Sequence, residues 1–132
     1  MTLRGRSEHG HWFGTVLDAP DPQALGLFYH AVLGWEIATN EPDQFTLAVP
    51  GNSQTYLAFQ LQHSAPWVRP TWPAEAGQQQ MMMHLDIEVG DLDAAVAHAL
   101  DLGATLADFQ PQEEVRVLLD PAGHPFCLYT DG

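Results

Sequence analysis

The sequence of 132 residues has no lysine, and its four arginines face 17 acidic side chains, a formal net charge of −13. Such a field repels nucleic-acid backbones and anionic lipid surfaces, which excludes both as partners on charge grounds. The single cysteine, Cys127, cannot close an internal disulfide, so the expected setting is a reducing cytoplasm. No apolar run reaches the roughly 18 residues of a membrane span. The opening MTLRGRSEHGHW has no apolar stretch behind its arginines and does not read as a signal peptide. What is present, 45% hydrophobic residues, suits one globular domain over residues 1–132.

Two stretches carry helix signals. Residues 21–33 begin with Asp21 as N-cap and Pro22 at the first helical position, with Leu25, Phe28, Ala31 and Val32 as the apolar stripe and Gly34 as the stop. Residues 91–102 repeat the scheme, with Asp91 as cap, Leu92, Ala95, Val96, Ala99 and Leu102 as the stripe, and Gly103 as the stop. His98 falls outside that stripe and faces solvent in this reading. One strand-like run precedes each helix and three follow it, the last two joined by PGNS in the first half and DPAG in the second. The order is therefore βαβββ twice. It gives module one at about 12–62, a Pro/Gln-rich linker at about 63–80 and module two at about 81–130. Trp67 and Trp72 in the linker are expected to cover an apolar surface, the chain's own or a partner's.

Strand side chains alternate between faces. Met83, Leu85, Ile87 and Val89 form one apolar set, leaving His84, Asp86 and Glu88 opposite. Phe126 and Leu128 leave Cys127 and Tyr129; Leu57, Phe59 and Leu61 leave Tyr56, Ala58 and Gln60; Phe13, Thr15 and Leu17 oppose Trp12, Gly14 and Val16. If the strands curve around one cavity, Gly14, Gln60, His84 and Cys127 converge on it.

GTVLDAPDPQALGLFYHAVLGWEI resembles the first module of the vicinal-oxygen-chelate superfamily, which includes glyoxalase I, bleomycin-resistance proteins and extradiol dioxygenases. HLDIEVGDLDAAVAHALDLGA resembles the start of its second module and LLDPAGHPFCLY its closing hairpin. The resemblance covers nearly the whole chain after residue 12. It implies an α+β fold of two βαβββ modules forming a curved mixed sheet around a cleft, and a homodimer.

The superfamily's enzymes hold a divalent metal with one residue from the first and one from the last strand of each module. Carried over, those positions are Gly14, Gln60, His84 and Cys127. His84 stands seven positions before the capping Asp91, and Cys127 seven after the hairpin Asp120. Only His84 keeps the usual ligand type. Glycine offers no side chain and a neutral amide is a poor donor, while zinc-like ions take three or four suitable protein ligands. The expectation is no metal and no cofactor. His9 and His11 lie upstream and out of register.

Three functions remain. The preferred one is metal-free binding of a small molecule by Gln60, His84, Asp86, Glu88, Cys127 and Tyr129, the ligand being cationic or antibiotic-like. It parallels bleomycin-resistance members, which are acidic and sequester a cationic drug without metal chemistry. The second is a lyase, isomerase or other enzyme with a non-standard site, in which His84 titrates and Cys127 attacks, with Arg116 as the one nearby activating cation. The third is a non-catalytic interaction protein that uses the Trp67/Trp72 loop.

Overall fold

The computed structural model describes Arg4 and residues 12–130; His9 and His11 lie outside the described residues. Module one runs β1 (Phe13–Ala19), α1 (Pro22–Leu33), β2 (Ile37–Asn40), β3 (Gln44–Ala48) and β4 (Thr55–Leu61). Module two runs β5 (Leu85–Glu88), α2 (Leu92–Asp101), β6 (Thr105–Leu106), β7 (Val115–Leu119) and β8 (Pro125–Tyr129). Their sheets are ordered β1-β4-β3-β2 and β5-β8-β7-β6, so the two halves share one topology. In each, the first strand pairs parallel with the last and the remaining pairs are antiparallel. No helix among the described residues is long and apolar enough to cross a membrane.

The caps act as their residue types dictate. Asp21 is extended and accepts from the Ala24 N–H at 3.1 Å, and Asp91 does the same for Ala94 at 3.1 Å. Gly34 closes α1 in the left-handed region (φ 71°), where a glycine has no Cβ penalty.

One hydrophobic core serves both modules. Tyr29 of α1 stacks on Phe59 of β4, with centroids 5.4 Å apart, and meets Phe126 of β8 edge-on at 5.8 Å. Phe28 reaches Phe126 as well, at 5.9 Å. Aromatic pairs of this kind add roughly 0.5–1.5 kcal/mol each beyond the area they bury. α1 comes so close to β3 that a Cβ on Gly26 would lie 2.2 Å from the Phe45 ring. The Tyr29 hydroxyl donates to Asp120 at 2.7 Å, and Asp120 also accepts from the Ala122 and His124 amides within the β7–β8 turn. Burial pushes the Asp120 carboxyl above its usual range despite those three donors.

The α2 stripe is as expected, with Ala99 buried and Leu92, Ala95, Val96 and Leu102 packed against the core; His98 is exposed. Three face assignments are corrected. Ala31 of α1 is exposed and Tyr29 takes its place in the core, because a buried partner, Asp120, satisfies the phenol. Met83 is 77% exposed, since β5 begins only at Leu85 and strand alternation does not reach back to it. Phe13 is 70% exposed at the first position of β1, beyond the end of the core.

The linker tryptophans lie on the chain's own second module. Trp67 Nε1 donates to the Ala122 carbonyl at 2.8 Å and its ring meets His124 edge-on. Trp72 Nε1 donates to the Phe109 carbonyl at 2.9 Å.

Candidate functional site

β5 and β8 lie side by side in parallel register, with Asp86 opposite Cys127 and Glu88 opposite Tyr129. Leu85, Ile87, Phe126 and Leu128 pack into the core. Alternation then turns Asp86, Glu88, Cys127 and Tyr129 to the other face, with His84 just before β5. There a cavity of about 560 Å³ opens, lined by His84, Asp86, Glu114, Cys127, Tyr129 and Thr130, among others. Neither arginine nor lysine lines it among the described residues.

His84 Nε2 lies 3.1 Å from Asp86 Oδ1, and both side chains are substantially exposed. Cys127 is half-buried, and its thiol is pushed up to about 11, chiefly by burial and further by the Asp86 carboxylate, through its charge and as hydrogen-bond acceptor. The one nearby cation does not oppose this. Arg116 turns its guanidinium to the Gln112, Glu113 and Val115 carbonyls, at 3.2, 2.7 and 2.9 Å. The thiol is therefore protonated at neutral pH, the opposite of an activated nucleophile.

Of the six expected binding residues, the structure brings together His84, Asp86, Cys127 and Tyr129. Glu88 lies on β5 with Asp86 but outside the cavity lining, and it is exposed. Gln60 lies in module one, paired in register with Asp18 and Gln44, and does not line the module-two cavity. The expected convergence of Gln60 with His84 and Cys127 is thus not formed around one cavity. The two modules build separate sheets, and each concave surface has its own lining. Module one's cavity, about 910 Å³, is lined by Trp12, Trp35, Thr46 and Tyr56, among others.

Gly14 has a structural reason as well as a chemical one. The Tyr56 ring fills the space beside it, so that a Cβ at 14 would lie 2.0 Å from the ring. The four positions that the resemblance equates with metal ligands therefore do not form one ligand set. One is blocked, one is a neutral amide outside the cavity, and the remaining two lie on module two. Glu114, in contact with the cavity, was missed from the sequence because it precedes β7 in a loop that strand alternation does not reach.

The sequence from residue 14 to 129 matches the family described as glyoxalase-like domain. The chain belongs to the glyoxalase-like domain family. That places it in the vicinal-oxygen-chelate superfamily, as its motifs imply. No curated protein matches it. Among solved structures, this glyoxalase-like chain is similar to a glyoxalase/bleomycin resistance protein/dioxygenase family enzyme from Burkholderia phytofirmans PsJN. The two are 19% identical over 89% of this chain and 95% of that one, with a TM-score of 0.65. A glyoxalase/bleomycin resistance protein from Albidiferax ferrireducens T118 is 17% identical over 92% and 98%, with a TM-score of 0.61. An integron cassette protein from the mobile metagenome of V. cholerae is 17% identical over 99% and 100%, with a TM-score of 0.60. At such identities the likeness establishes the fold and leaves the chemistry to the site.

Proposed function

We propose that this glyoxalase-like domain binds a small organic cation in the module-two cavity, through direct contacts rather than through an ion held at the superfamily's four positions. The observation that carries this reading is the lining. Asp86, Glu113 and Glu114 supply carboxylates, Tyr129 supplies an aromatic ring, and neither arginine nor lysine lines the cavity among the described residues. His84 and Cys127 complete the lining, and Glu88 adds an acidic side chain on β5 beside Asp86. The overall charge of −13 raises the local concentration of cations.

A second copy of the chain belongs to this reading. β1 and β5 are terminal strands of their sheets, and Trp12, Phe13 and Val16 on or beside β1, with Met82 and Met83 before β5, are exposed. Unpaired edges lined with large apolar groups favour association, and two such edges on one chain suit a closed, two-fold pair. The role of Gln60 as a ligand contact rests on that pairing, since within one chain it stays outside the module-two cavity.

Thermal-shift measurements on chelator-treated protein test the proposal, with quaternary ammonium compounds and cationic glycopeptides set against carboxylate analogues of similar size. Cations are expected to raise Tm in a salt-sensitive way, and the shift should vanish when Asp86→Asn and Glu114→Gln are combined. Equal stabilisation by the anionic set, or an undiminished shift in the double variant, overturns it.

A further inference from the structure

The cavity of module one is built from different chemistry. Where the module-two lining is acidic, this space of about 910 Å³ is walled by three aromatic side chains, Trp12, Trp35 and Tyr56. Its size is that of a small-molecule site. Glu36 is its one carboxylate, and no arginine, lysine or histidine lines it among the described residues. The chain's other two tryptophans, Trp67 and Trp72, are engaged on module two through hydrogen bonds to the Ala122 and Phe109 carbonyls.

Each ring is positioned by its own local structure. Tyr56 stands opposite Gly14 in the parallel β1–β4 register, and three of its ring carbons lie 2.0, 2.2 and 2.6 Å from where a Cβ at 14 would be. A glycine inside a strand weakens it, and here the glycine lets the phenol ring rest on the sheet with its outer face toward the cavity. Trp12 meets Tyr56 with centroids 6.3 Å apart and planes inclined by 41°. Rings at that angle form adjoining walls and do not cover one another's faces. Trp35 follows the left-handed Gly34 that ends α1, and its carbonyl lies 2.6 Å from His30 Nδ1. The next carbonyl, of Glu36, accepts from the Ala48 amide at 2.9 Å. The half-buried Trp35 also packs against the core, so this wall is set before a ligand arrives.

We infer that module one carries a second binding site, for a flat aromatic ring system without negative charge held against Trp12, Trp35 and Tyr56. Tryptophan and tyrosine rings take such partners by offset stacking and edge contacts, which a saturated ring of the same size cannot return. Glu36 and the net charge of −13 disfavour a carboxylate on the ligand. The site goes beyond organic-cation binding, because it lies on the other module and its contacts come from rings in place of carboxylates.

The test follows the indole N–H signals of the four tryptophans in ¹⁵N-labelled full chain at pH 8, assigned with single Trp→Phe variants. Quinoline, uncharged at that pH, is the probe. Decahydroquinoline serves as a saturated amine of similar size and quinoline-2-carboxylate as the anionic counterpart. Quinoline is expected to move the Trp12 and Trp35 signals saturably by its ring current and to leave those of Trp67 and Trp72 in place. Decahydroquinoline should leave all four unmoved, and quinoline-2-carboxylate should bind about fivefold more weakly than quinoline. Trp12→Ala and Tyr56→Leu should each weaken quinoline binding by about fivefold or more. Trp12 is 64% exposed and Tyr56 lies outside the buried core, so both variants are expected to fold, and circular dichroism checks this. No saturable shift, movement of Trp67 or Trp72 instead, an equal response to decahydroquinoline, or unchanged affinity in both variants overturns the inference. Asp86→Asn combined with Glu114→Gln should leave quinoline binding unaltered, and a loss there overturns it as well. Organic-cation binding is lost in that same double variant, so the two sites stand or fall separately.

Discussion

The phenol of Tyr29 donates a 2.7 Å hydrogen bond to the carboxylate of Asp120, tying α1 of module one to the β7–β8 turn of module two across 91 residues of chain. Asp120 also organises its own turn through the Ala122 and His124 amides, so one buried carboxylate serves both the hairpin and the seam between modules.

Removing that donor should therefore cost more than an ordinary hydrogen bond. Tyr29→Phe keeps the stacked ring but leaves Asp120 one donor short in the core, and about 1–3 kcal/mol of stability should be lost in urea denaturation. Burial and the Asp120 charge hold the Tyr29 hydroxyl well above its usual value. The unfolded chain ionises this tyrosine near pH 10 while the folded chain keeps its proton. Its stabilising contribution is complete below about pH 10 and is lost as pH rises through the folded value. Urea midpoints between pH 8 and 11 should fall more steeply for the wild type than for Tyr29→Phe. Parallel slopes count against this linkage.

The thiol of Cys127 should resist alkylation. With its pKa pushed up to about 11, only about one molecule in a thousand carries thiolate at pH 8, against roughly a quarter for an unperturbed cysteine. Iodoacetamide labelling of metal-free protein, followed by mass spectrometry, should be about two hundredfold slower folded than in urea. Asp86→Asn should accelerate it. Rapid labelling of the folded wild type would revive the nucleophile reading.

Gly26 should not tolerate alanine. In an open helix the change gains about 1 kcal/mol, yet here the new methyl meets the fully buried Phe45 ring at 2.2 Å. Overpacking typically costs about 1–3 kcal/mol, so Gly26→Ala should lower Tm. Adding Phe45→Leu to that variant should recover part of the loss, a coupling that a double-mutant cycle reads directly.

Sedimentation velocity should give twice the 14.5 kDa chain mass. Phe13→Glu with Met83→Glu places charge on the two free edges and should yield the monomer with its circular dichroism intact. A monomeric wild type removes the pairing and, with it, the assignment of Gln60 to a ligand site.

The strand and helix order was legible because each cue is local. Asp21 and Asp91 cap, Gly34 and Gly103 stop, and the apolar alternation of Phe126 and Leu128 fixes which way Cys127 faces. The grouping of His84 with Cys127 followed from the same alternation, and Asp86 joined them through parallel register. The relation between modules was not legible. Nothing local says that Tyr29 would find Asp120, and so nothing placed a tyrosine in the core in preference to Ala31. Gln60 was set beside His84 on the assumption of a single sheet, whereas pairing between strands far apart in sequence decides that question. Met83 and Phe13 failed for a simpler cause, because alternation predicts a face only where a strand, and a core to meet it, extend that far.

The aromatic ring resting on Gly14 has a consequence for anyone seeking to convert this domain into a two-module metalloenzyme. A histidine introduced at 14 alone would have to evict Tyr56 before its imidazole reached the concave surface. The shortest route is therefore a paired exchange, Gly14→His together with Tyr56→Ala. A single-site library would miss it, since neither step is rewarded without the other.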